Sequence, residues 1–213
     1  MTAFRKEITG LLGEKGAERV FAARIGIAGA GGIGSNCAVN LVRSGFRNMI
    51  IVDFDAVETS NLTRQFFFAD QVSRKKTAAL EENLKRINPD LDLQCVEKKL
   101  TFPFGPEFFA DRDVVIEALD RPDEKSLFVS EMASRGKFVV AVSGIAGYGA
   151  SDDIRISRPM RNVVIVGDGV SDAVRIKPFS PKVNVAAAKQ ADIVLEYVLT
   201  GKVTPAGGHF SAR

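Results

Sequence analysis

Apolar residues along this chain gather into two kinds of run that alternate from one end to the other. Residues 24–28, 49–53, 113–118 and 138–143 are apolar at most positions, the pattern of short strands buried on both faces, and 91–96 reads as a further strand. Residues 34–44, 74–88, 121–135 and 185–199 instead repeat an apolar position every three or four residues, the period of a helix with one buried face. In 74–88 the stripe is Thr77, Leu80, Leu84 and Ile87, with Glu81 to Lys85 and Glu82 to Arg86 as ion pairs one turn apart on the outer side. Ser73 is placed to cap that helix and Pro89 to end it. Leu127 and Met132 are expected inward on the third helix. On the fourth, Ala187, Ala191, Val194 and Val198 are expected inward, and Lys189, Asp192 and Glu196 outward.

Residues 4–22 read as one or two short helices, broken between Gly10 and Gly16 and covering an edge of the sheet, and 106–110 as another short helix. Five strand–helix alternations predict an α/β fold with a Rossmann-like, doubly wound, mostly parallel sheet. Beyond Gly144 the period changes, and 154–157 with 162–166 are expected as antiparallel C-terminal strands. Pro178 and Pro181 should break the chain before the last helix, and the tail past Gly201 should be loose.

Length and composition narrow this picture. At 213 residues and 46% hydrophobic, the chain suits a single domain over 1–213 with a full core. A net charge of +3 is mild and no basic block speaks for nucleic acid, so the scattered lysines are expected on a solvated surface. Cys37 and Cys95 lie far apart, no CxxC occurs, and the one histidine, His209, sits in the tail. Neither a zinc site nor a disulfide framework is expected, and a reducing cytoplasm is the expected compartment. No run approaches membrane-spanning length, so no membrane association is expected.

The chemistry starts where the first strand ends. RIGIAGAGGIG, residues 24–34, runs from strand into a turn holding Gly29, Gly31, Gly32 and Gly34 and then into a helix. Without Cβ atoms such a turn can bring backbone N–H groups close to a ligand, and the helix N-terminus behind it favours an anion. The spacing Gly29-x-Gly31-x-x-Gly34, with Asp53 nineteen positions after Gly34, is a nucleotide fingerprint in which the acid suits ribose hydroxyls. A polar stretch, 53–65, follows the second strand at the end where open α/β sheets bind ligands.

Arg64, Lys76, Asp120 and the pair Asp53 with Asp55 stand around that mouth. Arg64 and Lys76 can reach over it, or be solvated surface residues. Asp120 can hold Mg²⁺, or cap the helix 121–135. On the fingerprint alone, an NAD- or FAD-binding Rossmann oxidoreductase fits as well.

GAGGIGSN at 29–36, VDFDAVETSNLTRQ at 52–65, Lys76 within RKKTAALEENLKRINP, and the apolar strand that runs out to Asp120 together resemble the ThiF/MoeB family of ubiquitin-activating-enzyme-like adenylyltransferases. GIAGYG at 144–149 and GDG at 167–169 are similar to its short, zinc-free ThiF branch. The resemblance implies adenylation of the C-terminal Gly-Gly carboxylate of a small ubiquitin-like, ThiS-like sulfur carrier, with ATP and Mg²⁺ as cofactors and without zinc. Thiamine biosynthesis is the setting it implies, and a homodimer the assembly.

By the same resemblance, Gly29, Gly31, Gly32 and Gly34 would hold the phosphates and Asp53 the ribose. Arg64 and Lys76 would neutralise charge at the transferring phosphorus, Asn61 and Gln65 would shape the loop, and Asp120 would hold Mg²⁺. Two departures matter. No cysteine follows Cys95, so chemistry is expected to stop at the acyl adenylate. The family's arginine that reaches into a partner subunit's site has no clear match here, Arg5 and Arg19 being the candidates. A ThiF-like protein that handles another carrier without turnover is the remaining alternative.

Overall fold

The structure, a computed structural model, describes residues 2–173 and 175–203; the tail that carries His209 lies outside the described residues. After α1 (Ala3–Ala22), the chain alternates β1 (Arg24–Ala28), α2 (Gly32–Arg43), β2 (Asn48–Asp53), α3 (Lys76–Ile87), β3 (Asp92–Glu97), α4 (Pro106–Phe109), β4 (Val114–Glu117), α5 (Pro122–Ser134) and β5 (Phe138–Val142). A hairpin of β6 (Arg155–Met160) and β7 (Val163–Gly167) and the long α6 (Ser180–Thr200) complete the described chain.

One sheet results, in the order β3-β2-β1-β4-β5-β7-β6. Every neighbouring pair is parallel except β6 with β7. The chain leaves β1 towards β2 and β3 and then returns to β4 on β1's other side. That reversal opens a crevice at the carboxyl ends of β1 and β4, where open α/β sheets bind ligands.

Because side chains alternate across a strand, each buried strand supplies both faces. Ile25, Ile27, Met49, Ile51, Val114, Ile116 and Val140 turn to one face and pack with Leu41 of α2, Leu80 and Leu84 of α3, and Ala187 and Val194 of α6. Ile50, Val52, Val115 and Val139 turn to the other and are covered by Phe104, Phe109, Phe128 and Met132. Gly26 of β1 lets Phe109 lie against the strand, since a Cβ there would stand 2.6 Å from the ring. No described helix is long and apolar enough to cross a membrane.

Several local expectations need correction. α1 does break inside the expected window, at Gly13 (φ 70°), but it packs on the face with α6 rather than on an edge strand; Arg19 donates to the Leu199 carbonyl. Ser73 does not cap α3: it takes φ 73° and donates its N–H to the Val57 carbonyl at 2.8 Å, so the helix starts at Lys76 without a side-chain cap. Glu81 pairs with Lys85 as expected, whereas Glu82 takes Arg74 at 2.7 Å.

Leu127 is exposed and its neighbour Phe128 takes the inward place. Pro181 sits in the first turn of α6 instead of breaking the chain, where its missing N–H costs nothing. Lys189 is half-buried, with its ammonium on the Ile154 carbonyl.

Phe128 is fully buried and meets Phe104 and Phe109 edge-to-face, with centroids 5.4 Å from each. Phe128→Ala should therefore cost about 3–5 kcal/mol, measured as the shift of a urea unfolding transition. A loss below about 1 kcal/mol would mean that the second face is not packed around this ring.

Candidate active site

The turn after β1 is built by two absent side chains. Gly29 takes φ 101° and donates its N–H to the Val52 carbonyl at 2.9 Å; a Cβ there would lie 2.5 Å from the Ala118 carbonyl oxygen. A Cβ on Gly34 would overlap the Gly29 carbonyl oxygen. Both glycines are demanded by the fold, because α2 starts directly behind β1 and beside β4.

Gly31 and Gly32 differ. Gly31 is the N-cap of α2 at φ −77°, and the atom nearest a Cβ there is the Gln65 amide nitrogen at 4.0 Å. At Gly32 a Cβ would meet Val183 of α6 at 3.2 Å. The first-turn N–H groups of α2 have no intrahelical partners and no side chain caps them, so the turn offers donors and positive potential at an uncluttered surface.

Side chains of the next turn lock the neighbouring loop against it. Ser35 Oγ donates to the Gly31 carbonyl at 2.7 Å and accepts from the Phe66 N–H at 3.0 Å. Asn36 Nδ2 bridges the carbonyls of Gly32 and Arg64 at 2.7 and 2.9 Å. Asp53, at the end of β2, accepts from Ala30 N–H at 2.6 Å and from Asp55 N–H at 2.8 Å. Each oxygen takes one donor and keeps a lone pair, so Asp53 holds the turn while remaining able to accept from a hydroxyl.

The loop after β2 carries the remaining candidates. Asn61 is buried and accepts from the Glu58 N–H at 3.0 Å, capping the short 3-10 turn Thr59–Thr63. Gln65 has a buried amide oxygen with no hydrogen-bond partner. Arg64 reaches back to the Ser60 carbonyl at 3.1 Å and Thr63 Oγ1 at 3.3 Å.

Lys76 is only 6% exposed, and its ammonium sits 2.7 Å from Asp55 Oδ2. That carboxylate offsets the unfavourable potential of a lysine at a helix N-terminus. Asp120 is exposed, just past β4. The α5 N-cap is Arg121, with no side-chain cap, so capping is not the role of Asp120; its carboxylate has no hydrogen bond or ion pair with the described residues. Arg5 and Arg19 lie on α1, at the opposite end of β1, where the Arg5 guanidinium sits 4.6 Å over the Phe21 ring.

Loop, fingerprint acid and basic residues thus meet at one crevice, and the ThiF family model matches residues 4–155 of this chain. The chain belongs to the ThiF family. It is 32% identical over 139 residues to SUMO-activating enzyme subunit 2 of Dictyostelium discoideum, covering 64% of this chain and 21% of that protein. To the adenylyltransferase and sulfurtransferase uba4 of Aspergillus clavatus it is 33% identical over 142 residues, covering 66% and 29%. The chain therefore spans less than a third of the length of these curated relatives.

Among solved structures, Escherichia coli tRNA N6-threonylcarbamoyladenosine dehydratase, TcdA, in complex with ATP superposes with a TM-score of 0.84 at 18% identity, covering 92% of this chain and 93% of that one. E. coli MccB with ATP follows at 0.70 and 24%, covering 91% and 60%. At such identities the likeness is one of fold.

Within this ThiF-family site the sequence reading passed over Glu117, the last residue of β4. It is fully buried, accepts from Leu119 N–H at 2.8 Å and pairs with Lys125 at 2.7 Å, while Lys125 also donates to the Leu119 carbonyl at 2.8 Å. This pair, with its carboxylate buried and its lysine half-buried, ties down the turn that leads to Asp120. A carboxylate inside an otherwise apolar run was the available signal. Ser35 and Asn36 were part of the motif, but their hydrogen bonds depend on the loop folding back.

The two kinds of glycine separate experimentally. Gly34→Ala should destabilise the fold by about 1–3 kcal/mol in urea unfolding, since backbone must move. Gly31→Ala should leave stability within about 0.5 kcal/mol, yet weaken ATP binding about tenfold or more in calorimetry. Equal stability losses in both variants would remove the distinction.

Proposed function

We propose that this chain is a single adenylation domain that transfers AMP from ATP to the C-terminal Gly-Gly carboxylate of a small ubiquitin-like, ThiS-like sulfur carrier. Its setting would be thiamine biosynthesis, and its form a cytoplasmic homodimer. The observation that carries this reading is the convergence of a helix N-terminus, open at Gly31, with Asp53, Arg64, Lys76 and Asp120 at one crevice. The relatives support it through their own roles, as a SUMO-activating enzyme subunit and an adenylyltransferase and sulfurtransferase.

In this reaction a carboxylate oxygen attacks the α-phosphorus of ATP. A carbon–oxygen–phosphorus anhydride bond forms, the bond from that phosphorus to the bridging oxygen breaks, and pyrophosphate leaves with the electron pair. No proton is transferred, so no general base is needed. The obstacle is anion meeting anion, which fixed positive charge and positioning overcome. The α2 N–H groups and Gly31–Gly32 backbone hold phosphate oxygens, Asp53 accepts from the ribose, and Arg64 and Lys76 face the developing charge. Asn61 and Gln65 keep the loop in shape.

Among the described residues no three His, Cys, Asp or Glu side chains are grouped for a metal. Asp120 fits the other common arrangement for Mg²⁺, one protein carboxylate completed by phosphate oxygens and waters. Bound there, the ion would supply further neutralisation at the phosphates.

Nothing in the described chain favours a later thioester step. Burial raises the Cys37 thiol well above its ordinary value. Burial, with the Glu81 charge, pushes Cys95 up to about 12. Neither is a thiolate at neutral pH, so the acyl adenylate is the product.

The test is ATP–pyrophosphate exchange, with a carrier ending in Gly-Gly and with the same carrier lacking those two residues. Exchange only with the intact carrier is expected; binding of NAD without binding of ATP would overturn the reading. Asp120→Ala should lower exchange about 100-fold or more with an unchanged urea midpoint, because Asp120 caps nothing. A variant that unfolds while keeping its activity per folded molecule would count against the metal role.

A further inference from the structure

One buried ion pair beside this crevice plays no part in the reaction as derived so far. Lys182 lies in the first turn of α6 and is 7% exposed. Its ammonium stands 3.8 Å from Asp168 Oδ2, inside ion-pair range but beyond hydrogen-bond reach, and it makes no hydrogen bond among the described residues. An ammonium has three donors, and burying it is costly unless they are used.

Asp168 by contrast is well satisfied, accepting from the N–H groups of Val170 at 2.9 Å and Ser171 at 2.7 Å. Burial opposes its charge, but these bonds and the Lys182 ammonium outweigh that and hold its carboxyl below the usual range. Asp168 therefore has backbone partners of its own, whereas Lys182 has donors to spare.

Position says what they are for. Val183, the next residue, is the side chain that a Cβ on Gly32 would meet, so this turn of α6 abuts the phosphate loop. Asp168 follows β7 and touches Gly144 at the end of β5, where a Cβ would overlap its Oδ1. Across the sheet the order is β2, β1, β4, β5, β7, and the proposed nucleotide partners occupy the first three: Asp53 after β2, the glycine turn after β1, Asp120 after β4. The Lys182–Asp168 pair follows on that line, beside the glycine turn and beyond the positions assigned to the nucleotide.

Resting on the adenylation reading, we propose that Lys182 is the cation that receives the incoming substrate carboxylate, exchanging its loose pairing with Asp168 for hydrogen bonds to that carboxylate beside the glycine turn. Arg64 and Lys76 serve the phosphate side and Lys182 the acyl side, so each of the two anions brought together has its own counter-charge. Gly144 leaves room for the exchange by keeping side-chain atoms away from Asp168.

The probe is a short synthetic peptide ending in Gly-Gly, made with a free C-terminal carboxylate and as the C-terminal amide, titrated onto the whole protein saturated with a non-hydrolysable ATP analogue. Wild type should prefer the carboxylate by about tenfold or more, Lys182→Met should reduce the preference to about twofold or less, and Lys182→Arg should retain most of it. Affinity for the ATP analogue alone should stay within about twofold throughout.

An undiminished preference in Lys182→Met, or no preference in wild type, overturns the proposal. A fall of about tenfold in affinity for the analogue instead would assign Lys182 to a phosphate, and overturns it too. If Lys182→Met fails to fold, Asp168→Asn asks the same question from the other side: releasing the ammonium should strengthen carboxylate binding, and unchanged affinity overturns the assignment. Because this readout is binding, a wild type that prefers the carboxylate but shows no pyrophosphate exchange would sink the adenylation reading and leave Lys182 as a carboxylate site.

Discussion

The close approach of three backbone segments, at Gly29, Gly34 and Ala118, is the constraint on which the site depends. A Cβ at either glycine would fall on a carbonyl oxygen, so only with both absent can α2 start directly behind β1 with β4 alongside. That placement aims the N-terminus of α2 into the crevice between the two halves of the sheet. It also brings Asp53 within 2.6 Å of the Ala30 N–H, so the fingerprint acid is part of the turn before it is a partner for any ligand. Ser35 and Asn36 then fasten the loop through Arg64 and Phe66 onto the same turn. The arrangement is rigid because backbone groups, not mobile side chains, meet at its centre.

Much of this was legible in the sequence, for reasons specific to each element. Parallel strands buried on both faces leave near-continuous apolar runs, so β1, β2, β4 and β5 stood out, and the glycine spacing located the turn. The antiparallel pairing of β6 and β7 was legible too. The parallel seat of β7 beside β5 was not, since a short alternating run fits a hairpin in isolation as well as a strand inserted into a sheet.

Errors inside elements had local causes. Leu127 and Phe128 are adjacent, and an apolar pair shifted by one position satisfies a helical period nearly as well; the aromatic cluster of Phe104 and Phe109, far off in sequence, chooses Phe128. Ser73 is a good capping residue by type, but the bonds between Val57 and the 73–74 segment force it to positive φ. The order of the chain offers candidate site residues and not their network: nothing in it says that Asp55 holds Lys76 or that Glu117 holds Lys125.

The acidic partners of the crevice lysines give its electrostatics a common logic. Lys76 lies against Asp55, Lys125 against Glu117 and Lys182 against Asp168, so the two buried ammonium groups and the half-buried Lys125 each carry a carboxylate, as a medium of low polarity requires. The pairs differ in tightness. Lys125 is bound by both a carboxylate and a carbonyl within 2.8 Å and Lys76 by a carboxylate at 2.7 Å, whereas Lys182 is 3.8 Å from its partner.

A tightly bonded ammonium loses much by turning to a ligand; a loosely bonded one loses little. On the proposed reading, this grading separates a structural pair, Lys125 with Glu117, from a cation held in place, Lys76, and from one free to change partners, Lys182. If the site carries out the proposed adenylation, which moves no proton, it has no use for a poised acid or base. What it needs is positive charge already in position when two anions arrive, and the internal carboxylates keep that charge in the fold until they do.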